Sequence, residues 1–173
     1  MRNRANSPLR VLLVSDTHGC VDSRIVALAA DCEYAVHAGD VGSAAVLDAL
    51  VARRGCVAVR GNNDTPQRWP PEQRATLAAL PVQAMLELPG GRLAIVHGDR
   101  HGPPVRRHAR LRGAFAGARC IVYGHSHRLC VDTDAEPWVV NPGAGGRART
   151  YGGPSCVILD IRGECWRLGV IRV

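Results

Sequence analysis

The 173-residue sequence predicts an α/β fold with its chemistry at the carboxyl ends of parallel strands. Three observations lead there. Short apolar runs rich in β-branched residues alternate with capped helical segments in the order β-α-β-α-β up to Asp64, a pattern of parallel strands joined by right-handed crossovers. Each run then stops in a polar turn containing Asp, Asn or His, and open α/β sheets place function at the carboxyl ends of their strands. Finally, a hydrophobic content of 46% with 21% charged residues is ordinary for a globular domain that buries a core without disulfides.

The elements follow in order. Val11-Leu12-Leu13-Val14 reads as a buried strand running into Ser15-Asp16-Thr17-His18-Gly19. Asp16 and His18 lie on one side of that strand end, where a carboxylate and an imidazole can reach one metal ion. Asp22 or Ser23 can cap a helix through Ile25, Val26, Leu28 and Ala29. Tyr34-Ala35-Val36-His37 is a second strand ending at Gly39-Asp40, with His37 read as a core residue rather than a ligand. Ser43 caps a second helix through Val46, Leu47, Leu50 and Val51, closed by Gly55. Cys56-Val57-Ala58-Val59 is a third strand, followed by Arg60-Gly61-Asn62-Asn63-Asp64.

After the loop Thr65 to Pro71, a short helix is expected from Pro71 to Leu80. Val82 to Leu88 and Arg92 to Val96, joined by Pro89-Gly90-Gly91, read as a hairpin ending in His97-Gly98-Asp99. Val105 to Ala116 is a basic helix with Val105, Ala109, Arg112 and Phe115 on one face. Its Arg106, Arg107, Arg110 and Arg112 read as solvated charge. Cys120 to Tyr123 is a strand ending at Gly124-His125-Ser126-His127, and Trp138 to Val140, Ser155 to Ile161 and Cys165 to Val170 are further strands. No repeat or linker divides the chain, so residues 9–173 are expected to form one domain behind a flexible basic tail, residues 1–8.

All 22 basic residues are arginine and the net charge is +7, which suits anionic substrates without being a nucleic-acid motif. Specific nucleic-acid binding is therefore not expected. Seven cysteines, without a Cys-x-x-Cys pair or a secretory signal, read as reduced thiols in the cytoplasm. The first apolar run is too short for a signal-peptide core or a membrane span.

Collected together, Asp16, His18, Asp40, Asn62, His97, His125 and His127 are too many ligands for one ion. They suit two divalent ions of the Mn, Ni, Zn or Fe type sharing a bridging carboxylate. The order Asp-x-His, Gly-Asp, Gly-Asn-x-Asp, His-Gly, Gly-His-x-His resembles that of the calcineurin-like metallophosphoesterases, from about Leu9 to Ile161. The short length, the Gly-Asn-Asn-Asp form and Asn141-Pro142-Gly143 look like the small bacterial and archaeal phosphodiesterase branch. The resemblance implies a two-sheet β-sandwich flanked by helices, a metallophosphoesterase-like four-layer fold with metals at the sheet edge.

It also implies that Asp16, His18 and His127 hold one ion and Asn62, His97 and His125 the other, with Asp40 bridging. The implied reaction is attack of a metal-bridging hydroxide on a small phosphate ester. Many relatives carry histidine after the metal-binding asparagine as a proton donor, and Asn63 departs from that. Asn63 remains a candidate at the reacting centre through its amide, and His101 is a substitute acid whose bland reading is a solvated loop histidine. Arg68 and Trp69 read equally as substrate rim or surface loop. Arg147, with Arg149 beside it, is the candidate for meeting an anionic substrate. Self-association is common among small members of such a family. The competing classes are an interaction scaffold on the same fold, as in the retromer subunit, and a nuclease, which usually adds DNA-binding segments that this length leaves little room for.

Overall fold

In the computed structural model, residues 8–173 are described; of the expected tail, residues 1–8, only Pro8 lies within them. The β-branched run at the start forms β1 (Leu9–Val14), and its alternate side chains face opposite ways. Val11 and Leu13 enter one core, Leu12 and Val14 another, and all four are fully buried. A strand apolar on both faces belongs inside a sheet covered on both sides. β1 lies there, parallel to β2 (Tyr34–His37) and antiparallel to β9 (Ser155–Arg162). With β3 (Cys56–Ala58) and β10 (Cys165–Arg172) the sheet order is β10-β9-β1-β2-β3.

The second sheet has the order β4-β5-β6-β8-β7, from β4 (Gln83–Leu88), β5 (Gly91–Val96), β6 (Cys120–Val122), β7 (Cys130–Asp132) and β8 (Trp138–Asn141). Its β5, β6 and β8 are parallel and its edge strands antiparallel. The two sheets pack through Val11, Leu13, Val36, Ile95, Val122 and Leu159, among others. Outside the first sheet lie α1 (Ser23–Ala29), α2 (Ala44–Ala49) and α3 (Arg74–Ala79). Outside the second lies α4 (Pro104–Ala114). The result is the expected four-layer sandwich.

Of the two cap candidates for α1, Asp22 takes the role, accepting the Arg24 amide at 2.9 Å. Other local expectations need correction. Ser43 makes no side-chain cap on α2; Gln73 Oε1 takes the Ala44 amide at 2.8 Å instead, so the cap is supplied from 29 residues away in the sequence. The segment after Pro70 splits into a 3-10 turn, Pro71–Gln73, and α3. In α4 the buried stripe is Arg107 and Leu111, continued by Phe115, while Val105 is 91% exposed. The expected face of Val105, Ala109 and Arg112 is therefore not the buried one; Arg107, expected as solvated charge, packs its stem inward instead. Trp69 is buried too, neither rim nor surface, because its indole donates to Asp64 and its ring joins the core under the first sheet. β7 was not expected, being only three residues long.

Candidate metal centre

The polar turns after five parallel strands meet at one end of the sandwich. Backbone bonds zip the first two together: Asp16 N–H donates to Gly39 O at 3.0 Å and His18 N–H to Asp40 O at 2.9 Å. In the second sheet Gly124 N–H donates to His97 O at 3.1 Å, aligning the turns after β5 and β6. The sheets are joined across the seam by His125 N–H donating to Asp16 Oδ1 at 3.1 Å. Asn141, at the end of β8, gives its amide hydrogens to Gly124 O and Ser126 Oγ, at 2.8 and 3.0 Å. It thereby anchors the Gly-His-Ser-His turn.

All seven candidate ligands arrive in this space. One donor atom each from Asp16, His18, Asp40 and His127 lies within 4.8 Å of the others. On the other side Asn62 Oδ1 stands 3.1 Å from His97 Nε2 and 3.0 Å from His125 Nδ1. Asp40 Oδ2 lies between the groups, 3.4 Å from His97 Nε2 and 3.8 Å from His18 Nε2. Five of the seven, Asp16, His18, Asp40, His125 and His127, have φ between 48° and 69°. Non-glycine residues avoid that region at a cost of about 1–3 kcal/mol each unless their surroundings impose it, and such strain clusters at functional sites.

The donor chemistry fits a cation. His97 Nδ1 faces Ala38 O at 2.9 Å and His127 Nδ1 faces Ala148 O at 3.3 Å. A carbonyl only accepts, so both Nδ1 atoms carry the proton and both Nε2 lone pairs point into the cluster. There Nε2 of His97 meets the acceptor oxygens of Asn62 and Asp40, and Nε2 of His127 lies 3.1 Å from Nε2 of His18. Acceptors converge in this way around a proton or a metal ion.

Without an ion, protons and charges take up the difference. Burial lifts the Asp16 carboxyl to about 7, against the pull of His97. Burial also works against charge on Asp40, but His97 and Asn63 outweigh it and hold that carboxyl well below the usual range. Burial opposes charge on His97 as well, yet Asp40, with help from Asp16, raises it to about 9. His127 falls to about 4 through burial, then through the charge of Arg149.

The other candidates fall differently. Asn63 does not point a free amide into the site: its N–H and Nδ2 donate to the two oxygens of Asp40, at 2.9 and 2.6 Å, and its own oxygen accepts from Arg68. His101 is half-buried beside Phe115, with ring centroids 5.9 Å apart, and hydrogen-bonds none of the seven. It lines a cleft that opens at Asn62. Arg147 is exposed and its charge acts on Asp22, whereas Arg149 brings Nη2 to 3.5 Å from His18 Nε2. His37 is a core residue: fully buried, it takes the Gly39 amide on Nδ1 and reaches Thr17 Oγ1 at 2.9 Å through Nε2.

Sequence reasoning gave no role to Asp64, whose carboxylate collects Val41 N–H, Gly42 N–H, Gly61 N–H and the Trp69 indole at 2.8 to 3.1 Å. Its place in the Gly-Asn-x-Asp motif was the available signal. Gly61 is equally forced, since a Cβ there would lie 2.5 Å from Asp40 N.

Comparison with known proteins agrees with this architecture. A sequence model of the calcineurin-like phosphoesterase superfamily domain matches residues 9–164. A probable metallophosphoesterase of Methanocaldococcus jannaschii is 30% identical over 110 residues, 63% of this chain and about half (51%) of that relative. Among solved structures, a Vps29 single mutant from Entamoeba histolytica superposes with a TM-score of 0.71 at 16% identity, covering 95% of this chain and 99% of the other. An archaeal phosphodiesterase superposes with a TM-score of 0.69 at 22% identity, covering 94% and 100%. At these identities the two structures establish the fold.

Proposed function

Because the chain belongs to the calcineurin-like phosphoesterase superfamily, we propose that it is a divalent-metal-dependent phosphodiesterase acting on small phosphate esters. The observation that carries the reading is the convergence of acceptor atoms around Asp40 Oδ2, with imidazole lone pairs on both sides. Asp16, His18, Asp40 and His127 would hold one ion; Asp40, Asn62, His97 and His125 would hold a second. Mixed nitrogen and oxygen donors of this kind accept manganese, nickel, zinc or iron. When bound, a pair of such ions activates water at neutral pH and neutralises charge on phosphate oxygens.

The chain's own residues do the rest. Ala38 and Ala148 carbonyls fix the tautomers of His97 and His127. Asn63 steadies the shared carboxylate, a positioning task that leaves its amide no part in proton transfer. Arg149, next to His18, is the guanidinium best set to meet an anionic phosphate oxygen. With no acid held against the donor cluster, diesters with good leaving groups are the favoured substrates. The solved archaeal phosphodiesterase of the same fold supports this choice. No helix among the described residues is long and apolar enough to cross a membrane, and all seven cysteines are free. We take residues 9–173 to act as one domain in the cytoplasm.

The likeness to Vps29 supports a competing reading, an interaction scaffold on the same fold. A scaffold has no need of seven converging donors. Metal analysis after loading with manganese, nickel or zinc, together with turnover of bis(p-nitrophenyl) phosphate, separates the two. We expect about two ions per chain and hydrolysis that stops on chelation. Failure to bind divalent ions and absence of turnover with every metal would favour the scaffold.

A further inference from the structure

A cleft of about 350 Å³ opens at Asn62 and runs away from the donor cluster. That is the lower end of the range for small-molecule sites, about 300–1,000 Å³. A diester carries two substituents on phosphorus, and the one that does not depart can lie in this cleft. The cleft walls are part apolar, with Val82 and Val96, and part charged, with Arg60 and Arg100.

The charges are unbalanced. Arg60 has no carboxylate within ion-pair distance among the described residues, and Arg100 reaches Asp99 only at 3.8 Å. The other carboxylate on the wall, Asp64, is already committed to four donors. Two guanidinium groups therefore line this cleft, and of its two carboxylates Asp64 is fully engaged and Asp99 faces Arg100 alone. Both guanidinium groups are exposed at the cleft and open to an incoming ligand, so the wall presents positive charge to an anion that enters it.

We propose that this cleft binds the organic moiety of a phosphodiester, and that this moiety carries a second anionic group met by Arg60 and Arg100. The proposal rests on the phosphodiesterase reading above and narrows it to one substrate class. The phosphate to be cleaved sits against Asn62 and Arg149, and the second anion sits toward Arg100, with the body of the ligand against Val82 and Val96.

The test uses manganese-loaded protein and two probes, the p-nitrophenyl ester of thymidine 5′-phosphate with and without a 3′-phosphate. The doubly anionic probe should have the higher kcat/KM by about tenfold, the scale of one charge-assisted contact. Arg60→Ala combined with Arg100→Ala should bring the ratio close to one. Arg167→Ala, on β10 and exposed, removes the same charge elsewhere and should leave the ratio alone. Calorimetric binding of thymidine 3′,5′-bisphosphate to chelator-treated protein reads the cleft without turnover, and should weaken in the double variant by a similar factor. Turnover of bis(p-nitrophenyl) phosphate with a probe ratio near one in the native protein overturns the cleft proposal alone. Absence of turnover on every diester, with bisphosphate binding still dependent on Arg60 and Arg100, removes the catalytic reading and leaves the anion cleft in place.

Discussion

At Asp40 one carboxylate oxygen serves both halves of the donor cluster while Asn63 holds the two oxygens in place. Asp40→Asn is therefore expected to abolish turnover with the circular dichroism spectrum unchanged; near-native activity would remove the shared-carboxylate model. Asn63→Ala should weaken metal binding by about 10–100-fold, the usual cost of losing an outer-shell partner. Direct titration checks it, and unchanged affinity would show that Asn63 does not position Asp40. The shifted groups also give the metal-free protein a signed pH dependence. Asp16 is raised from 3.8 to about 7, so its stabilising contribution is lost as pH rises through that value. His97 is raised from 6.5 to about 9, so its contribution is full below 6.5 and lost through 9. His127, lowered to about 4, acts in the opposite sense but only below 6.5. Urea midpoints of metal-free protein should thus fall between pH 7 and 9, and metal should flatten the slope. A midpoint that rises over that interval would contradict the assignment.

Among the elements, the strands were the most legible in the sequence. β1 and β2 announce themselves because their apolar residues are buried on both faces and their polar turns follow at once. The donor set was legible for the same reason, since each member ends a strand. What the sequence hid depends on partners far along the chain. Gln73 caps α2, Arg107 turns α4, and Asp64 gathers backbone amides from two turns, and none of these leaves a local periodicity to read. Asp64 yields a prediction at this scale. Asp64→Ala orphans four donors, which should cost at least about 3 kcal/mol, with a shift in tryptophan emission as Trp69 loses its acceptor. Asp64→Asn keeps one acceptor oxygen and should recover part of that loss. Equal stability of native protein and Asp64→Ala in urea would show that the turn is held by something else.

For the molecule as a whole, the donors stand above cores that are apolar and complete without them. Metal should therefore raise the melting temperature in proportion to the logarithm of its concentration, without being needed for folding. Chelation should be reversible and leave secondary structure in place; wholesale loss of far-ultraviolet signal would make the ions structural. Another consequence lies in the position of β1. Leu9 pairs with Ile161 and Leu13 with Val157, so the first strand of the chain is flanked on one side by nearly its last. Contacts of such sequence separation form late and fold slowly. On a ribosome, His127 emerges well before Ser155, and until β9 arrives β1 presents an unpaired edge. A chain truncated after Pro154 should therefore stay protease-sensitive and capture metal poorly, although no donor is missing from it. The seven donors are synthesised before the strand that closes the sheet beneath them.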